Sequence, residues 1–459
     1  MCGIFGVHGH SDATHIAQLG LYSLQHRGQE SVGLVSIDTA GKAHVARKMG
    51  TMSDSMSQEL MKMHGVTAVG HTRYSTSGSS TIENAQPVVA RSRGGYITLA
   101  HNGNIVNAAE LRLELEEQGS IFSSTNDSEV VVHRLAKSNA AAPIDRLADA
   151  LEGVDGAYSL IVAIGDTLLA ARDPRGWRPL TMGRLGDAVV FASETCALDI
   201  IGATIERDIE PGEIVAVNGG GVTSKAALPK KESRKCVFEF VYFARPDSSV
   251  FGGSVDRARR ALGKQLAREY PAPGADLVFS VPDSSNSAAL GFAEQSGLPY
   301  ELALIRNHYV GRTFIQPTQA GRDAKVKVKY NAVREVLNGK SVVMVDDSIV
   351  RGTTTRGLVA LIRGAGAREV HLRVSSPPVT GPCYYGIDTP SREELIAANL
   401  TVDEIAAHLG VDSLGYVSLD GMLASVPGGP HGFCHACFSG DYPTPPPADP
   451  DKLRFGCAC

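Results

Sequence analysis

The rhythm of apolar and polar positions changes near residue 230. Before it, Tyr96–Ala100, Ala157–Ile164 and Val189–Ala192 are apolar runs of strand length set between glycine-containing turns. Gly165-Asp166 sits between Ser159–Ile164 and Thr167–Ala171, the signature of a hairpin. Helices are predicted near Ala109–Gln118 and Asp127–Lys137, so antiparallel sheets packed with helices are expected. The polar stretch Pro229–Lys235 reads as a linker. Beyond it, the short apolar strands Asp276–Val281, Tyr300–Ile305, Ser341–Val345 and Glu369–Val374 alternate with helical stretches. Arg356–Arg363 places Leu358, Leu361 and Ile362 on one face. That alternation predicts a parallel α/β sheet.

At 459 residues, 43% hydrophobic and 20% charged, the chain has room for two or three domains with cores of their own. A net charge of -5 argues against a nucleic-acid partner. No apolar run approaches the roughly 20 residues of a membrane span. MCGIFGVHGH lacks a basic leader, so a cytoplasmic enzyme is expected. The cysteines, at 2, 196, 236, 383, 434, 437, 457 and 459, are spread too irregularly for a disulfide framework; one reactive thiol plus metal ligands fits better.

Cys2 follows the initiator methionine and precedes Gly3. Removal of Met1 would give Cys2 a free α-amine, whose ordinary pKa of about 7.7–8 suits a base for its own thiol. By itself the residue reads more readily as a small hydrophobe opening a strand at Ile4–Val7. Four further segments follow it in order: Gln25-His26-Arg27-Gly28-Gln29-Glu30, Gly70-His71-Thr72-Arg73-Tyr74-Ser75, His101-Asn102-Gly103-Asn104 and Asn126-Asp127-Ser128-Glu129. This ordered set resembles the type 2, N-terminal nucleophile, glutamine amidotransferases over residues 2–230. The resemblance implies Cys2 as nucleophile, with Asn102 and the Gly103 N–H forming the oxyanion hole. Arg73 would hold the α-carboxylate of glutamine and Asp127 its α-amine.

In the second half, Val342–Val345 runs into Asp346-Asp347-Ser348-Ile349-Val350-Arg351-Gly352-Thr353-Thr354-Thr355. A buried strand ending in paired carboxylates, then a hydroxyl-rich loop entering a helix, suits ribose hydroxyls, magnesium and phosphate. The run resembles the phosphoribosyl pyrophosphate (PRPP) motif of type I phosphoribosyltransferases. That resemblance implies PRPP contacts from Asp346, Asp347, Ser348, Arg351, Gly352, Thr353 and Thr354. It also implies one Mg2+ near Ser284, Asp346 and Asp347, and a closing loop carrying Arg312, with Lys325, Lys327 and Lys329 adding charge.

A type 2 glutaminase (2–230) followed by a PRPP-binding transferase with a C-terminal metal-binding segment (231–459) resembles the glutamine PRPP amidotransferase family. Phe238–Ser248 and Tyr385-Gly386-Ile387-Asp388 match its pattern. The fold implied is an N-terminal nucleophile hydrolase domain of stacked antiparallel sheets, then an α/β phosphoribosyltransferase domain. The reaction implied is glutamine, PRPP and water giving 5-phosphoribosylamine, glutamate and pyrophosphate, the opening step of purine synthesis. Ammonia would pass between the sites under cover, with Tyr309 and Phe314 as lining residues. The family's members are homo-oligomers inhibited by purine nucleotides. Spacing leaves two readings for the other cysteines: a zinc site of Cys434, Cys437, Cys457 and Cys459, or a more dispersed set. The resemblance implies the latter, a 4Fe–4S cluster on Cys236, Cys383, Cys434 and Cys437. Cys196 reads as packing.

Overall fold

In the computed structural model, the residues described are 1–52, 54–75, 78–92, 95–308 and 328–447. Two antiparallel sheets build the first half. One is seven-stranded among the described residues, in the order Thr204–Asp208, Thr181–Leu185, Ala188–Ala192, Gly3–His8, Thr67–Arg73, Ser31–Ile37 and Ala43–Met49. The other runs Gly221–Ala226, Glu213–Asn218, Thr167–Arg172, Gly156–Ile164, Gly95–Ile105 and Val88–Ser92. Side chains from both, among them Ile4, Val69, Ala100, Ile161, Leu168 and Phe191, interlock as one core. Each sheet buries its other face under helices. Ala13–Ser23 covers the first through Ile16, Ala17 and Leu21, and Glu129–Lys137 and Pro143–Leu151 cover the second. Burial on both faces explains why these strands read as apolar runs rather than alternating ones.

The second half holds a parallel sheet, Leu277–Ser280, Ser341–Asp346, Glu369–Val374 and Ser413–Tyr416, flanked by Val255–Glu269 and Asn286–Ser296 on one side and Thr353–Gly364 on the other. Between the halves, residues 227–234 form no regular element.

Several sequence expectations shift. The expected strand Tyr300–Ile305 is Leu304–Arg306, paired antiparallel with Tyr330–Ala332 outside the main sheet; Tyr300 makes only a single bridge to Val278. The helix expected from Asp127 starts at Glu129, because Asp127 turns its carboxylate to the Ile105 N–H instead of entering the helix. The strand expected to end at Ala100 continues to Ile105 and carries Asn102-Gly103 inside it, so this pair is not a turn. Glu239–Phe243 forms a π-helix, which periodicity does not announce.

Buried Asp173 organises the 173–177 turn, accepting from the backbone N–H groups of Tyr158, Arg175 and Trp177. Burial pushes its carboxyl from about 3.8 up to about 6. The folded state then keeps a proton that the unfolded chain releases, so this contribution is present at low pH and lost as pH rises through about 6. Between pH 4 and 7, the unfolding free energy of Asp173→Asn should gain about 2 kcal/mol relative to the parent, measured by urea titration at several pH values.

Candidate active site

Gly3–His8 is central in its sheet, and this places Cys2 at the strand's entry beside the end of Thr67–Arg73 and against Gly95–Ile105 of the facing sheet. The Cys2 N–H donates to Asn102 Oδ1 at 3.2 Å, and its thiol faces the Tyr74 carbonyl at 3.6 Å. The Asn102 Nδ2 group is buried without a hydrogen-bond partner. A buried, idle N–H₂ next to a nucleophile is what an oxyanion hole requires before substrate arrives. Gly103 has φ of +155°, and a Cβ there would meet the Ala157 carbonyl oxygen at 1.9 Å. Only glycine lets this peptide lie where it does.

The two glutamine-binding candidates are both buried nearby. Asp127 accepts from the Ile105 N–H at 2.9 Å and from Ser128 Oγ at 3.3 Å, with His101 Nδ1 at 3.7 Å. Burial opposes its charge, but His101 and these hydrogen bonds hold the carboxyl below its usual range. Arg73 donates to Glu30 Oε1 at 3.1 Å and to the Ser79 carbonyl at 3.0 Å. Glu30 also accepts from the Ser75 N–H, and so fixes both ends of the segment around Tyr74. The sequence displayed Glu30 in the His-Arg-Gly-Gln-Glu run without indicating this role. The residues that support the site by reaching across it were equally silent.

The acidic strand end lies across an open cleft. Its walls include Ser284, Asp346, Asp347, Ser348, Arg351, Gly352, Thr353 and Thr354, so those candidates share one site. Gly352, at φ +76°, lets the loop turn into the Thr353–Gly364 helix, whose N-terminal N–H groups suit phosphate. Asp347 accepts from Ser284 and Ser348, and Asp346 from the Asp347 N–H. Burial first, and Asp347's charge next, push the Asp346 carboxyl well above the ordinary range; burial raises Asp347 as well. Arg351 is paired with Glu394 at 2.8 Å. Arg312, Tyr309, Phe314, Lys325 and Lys327 lie outside the described residues, whereas Lys329 lines the cleft. The same cleft reaches His26, Gln29 and Tyr74 of the first half. Tyr74 therefore touches both the cleft and, through its carbonyl, the Cys2 thiol.

Between the sites lies a buried charge cluster. Arg27 donates to both carboxylate oxygens of Glu239, at 3.0 and 2.8 Å, and to the Cys2 carbonyl at 2.9 Å, and pairs with Glu194. Glu194 also meets His26 at 2.7 Å, the Arg245 N–H at 2.9 Å and Ser248 Oγ at 2.8 Å. Despite burial, these partners hold Glu194 ionised well below its usual range and Arg27 protonated above its own. Met1 is packed against this cluster, with its sulfur 3.9 Å from Arg27 and close to Arg178, and is 1% exposed. Replacing Arg27 by Met would remove the guanidinium that Glu194 and Glu239 share, leaving Glu194 to His26 and its hydrogen bonds and Glu239 to Arg178 at 3.5 Å. The expected loss is about 3–5 kcal/mol of stability, read from the urea midpoint at constant m.

Cys236, Cys383, Cys434 and Cys437 wall a single chamber with Trp177, Arg178, Phe238, Tyr385, Ile387 and Ala436. Cys236 and Cys434 are register partners in the short parallel pair Lys235–Cys236/Phe433–Cys434. All four cysteines are free. Burial pushes the Cys236 thiol up to about 11 and those of Cys434 and Cys437 higher. Four soft sulfur donors around one chamber suit a soft metal centre, which would bind them as thiolates. Among the described residues no three His, Cys, Asp or Glu side chains group closely enough to hold a single ion. Cys457 and Cys459, of the zinc alternative, lie outside the described residues. Cys196 is buried and packs beside Glu194, its thiol pushed up to about 11 by burial and then by that carboxylate.

This geometry defines a class: a glutamine amidotransferase of the N-terminal nucleophile type joined to a phosphoribosyltransferase fold. Residues 71–199 match the family model described as "Glutamine amidotransferase domain". The chain is 48% identical to an amidophosphoribosyltransferase of Bacillus subtilis, over 96% of this chain and 94% of that one. It is 46% identical to an amidophosphoribosyltransferase of Archaeoglobus fulgidus over 98% and 99%, and 49% identical to a chloroplastic one of Arabidopsis thaliana over 99% and 81%. The chain belongs to the amidophosphoribosyltransferase family. Among solved structures, an allosteric regulatory enzyme of purine biosynthesis superposes with a TM-score of 0.93 at 47% identity, covering 99% of each chain. The B. subtilis glutamine PRPP amidotransferase complexed with ADP and GMP gives 0.90 at 47%, covering 97% of this chain and 98% of that one.

Proposed function

We propose that this protein transfers the amide nitrogen of glutamine to PRPP, giving 5-phosphoribosylamine, glutamate and pyrophosphate with consumption of one water, the first committed step of purine biosynthesis. The observation that carries this reading is the single cleft joining Tyr74, at the Cys2 thiol, to the Asp346-Asp347 strand end. Cys2, freed of Met1, gives its thiol proton to its own α-amine, and the thiolate attacks the glutamine amide carbon. Asn102 Nδ2 and the Gly103 N–H take the oxyanion; the C–N bond breaks, ammonia leaves with the proton, and water hydrolyses the thioester to glutamate. Arg73 and Asp127 hold the α-carboxylate and α-ammonium of the substrate. Ammonia then displaces pyrophosphate at the ribose anomeric carbon, while Ser348 and Gly352–Thr354 hold the ribosyl phosphate.

The carboxylates Asp346 and Asp347, with Ser284 beside them, fit one Mg2+, which is bound by one or two carboxylates plus substrate phosphates and supplies charge neutralisation for pyrophosphate. The four-cysteine chamber fits one 4Fe–4S cluster, which would tie the 433–437 segment to the body of the second half. We assign residues 2–230 to the glutaminase half and 231–459 to the transferase half, a division supported by the irregular 227–234 segment. Purine nucleotides as feedback inhibitors and a homo-oligomeric state follow the family; the B. subtilis relative was solved with ADP and GMP. No described helix is long and apolar enough to cross a membrane, and a cytoplasmic setting is proposed.

Two measurements test this reading. Glutamate and pyrophosphate should form in equal amounts, with glutamate release rising on addition of PRPP; glutamate without pyrophosphate would overturn it. For the cluster, anaerobically purified protein should carry about four irons per chain with a brown absorbance that Cys383→Ser loses. Stoichiometric zinc without iron would refute that assignment.

A further inference from the structure

The segment Cys383–Thr389 of the second half touches three places at once. At one end Cys383 lines the thiol chamber, and at the other Ile387, Asp388 and Thr389 line the PRPP cleft. In the middle, Gly386 lies on the glutaminase strand: a Cβ there would meet Gly103 C and Cα at 2.9 Å and its carbonyl oxygen at 3.0 Å. Two backbones in such contact leave room for no side chain on either, and Gly386 has φ of +107°. The contact is fastened on both sides. Asn104 Nδ2 donates to the Tyr384 carbonyl at 2.9 Å, and Arg178 Nε to the Tyr385 carbonyl at 2.9 Å. Trp177 stacks on Tyr385 at 4.0 Å, and the Tyr385 hydroxyl donates to the Thr444 carbonyl at 2.6 Å. The strap is closed on itself by the Cys383 N–H, which donates to Thr389 Oγ1 at 2.6 Å.

We propose that this strap of the transferase half is a positioning element of the glutaminase, holding the Gly103 peptide where it can receive the oxyanion and linking that position to occupancy of the PRPP cleft. The physical reason lies in where the oxyanion hole is built. Gly103 sits near the end of its strand, and the strap packs directly on its Cα, carbonyl carbon and carbonyl oxygen. Oxyanion stabilisation depends on donors set in place before the charge develops. Residues whose packing fixes those donors act on turnover rather than on substrate affinity. Because the strap continues into the cleft wall, PRPP and the oxyanion hole press on the same seven residues. A ligand that favours one arrangement of the strap favours the matching arrangement of Gly103.

The inference rests on the reaction proposed above, and its test separates the two. Gly386→Ala should lower kcat for glutamine about 10²-fold with KM for glutamine within about twofold of the parent. The milder Asn104→Ala, which removes only the bond to the Tyr384 carbonyl, should lower it about tenfold. Affinity for glutamate γ-semialdehyde, whose adduct with Cys2 carries the oxyanion, should fall by the same factor as kcat. Affinity for glutamate should not change. Amination of PRPP by free ammonia should stay at the parental rate, which also shows that the variants fold. In both variants the stimulation of glutaminase by PRPP should shrink. A glutamine kcat at the parental value in Gly386→Ala, or a rise in KM alone, would overturn the positioning role. Stimulation unchanged while kcat falls would overturn the link to the cleft. Should the parent protein itself neither hydrolyse glutamine nor aminate PRPP with ammonia, the reaction proposed above fails, and not the strap.

Discussion

Cys2→Ser should lower glutamine-dependent amination of PRPP by at least about 10⁴-fold while leaving the ammonia-dependent reaction at the parental rate. The asymmetry follows from how far apart the work is done. In the proposed mechanism Cys2 supplies both nucleophile and, once Met1 is gone, the amine that takes its proton. Its neighbours are the Tyr74 carbonyl and the Asn102 amide, neither of which can act as a base in its place. A serine hydroxyl is far harder to deprotonate than a thiol, so the amine would no longer suffice. The substrate-binding groups Arg73 and Asp127 are untouched, and glutamine should still bind. Equilibrium binding of glutamine, the two amination rates and glutamate release would be measured side by side. Glutamine-dependent activity within tenfold of the parent would remove Cys2 from the mechanism.

Asp346→Asn combined with Asp347→Asn should abolish amination from either nitrogen source, by about 10³-fold or more, yet make the ligand-free protein more stable. Two carboxylates end one buried strand side by side; burial raises both above the ordinary range, and Asp347's charge raises Asp346 further. In the absence of a cation that arrangement is a cost; removing the charges relieves it. A gain on the order of 1–3 kcal/mol in urea unfolding is expected. Calorimetry should find Mg2+-dependent PRPP binding lost in the same protein, with glutaminase no longer stimulated. Loss of stability together with loss of activity would mean that the pair is structural.

The parts legible in sequence are those whose chemistry is local. The strand end Val342–Asp347 with its Ser-Gly-Thr loop announces both its fold and its ligand class, since strand, loop and helix entry are contiguous. Asn102 and Gly103 are readable for their roles but not for their setting: a pair that commonly turns a chain is instead held extended by Gly156–Ile164 alongside. What sequence conceals is contact between distant segments. Glu194 and Glu239 are unremarkable in their own neighbourhoods, yet Arg27 binds both across 167 and 212 positions. The four cysteines are visible as residues, but spacing alone leaves a local zinc site open; only the approach of 383 and 434–437 to 236 brings them around one chamber. Tyr300 shows the opposite error, an apolar run that looks like a sheet strand but bridges Val278 only once.

The burial of Met1 imposes an order on the making of this enzyme. Met1 belongs to one buried apolar cluster with Phe238, Ile387 and their neighbours, all contributed by chain that leaves the ribosome later. Its α-amine is withdrawn from water, and burial lowers it from about 8 to about 6. On the mechanism proposed above, Cys2 needs a free α-amine, so Met1 would have to be removed before the second half packs against it.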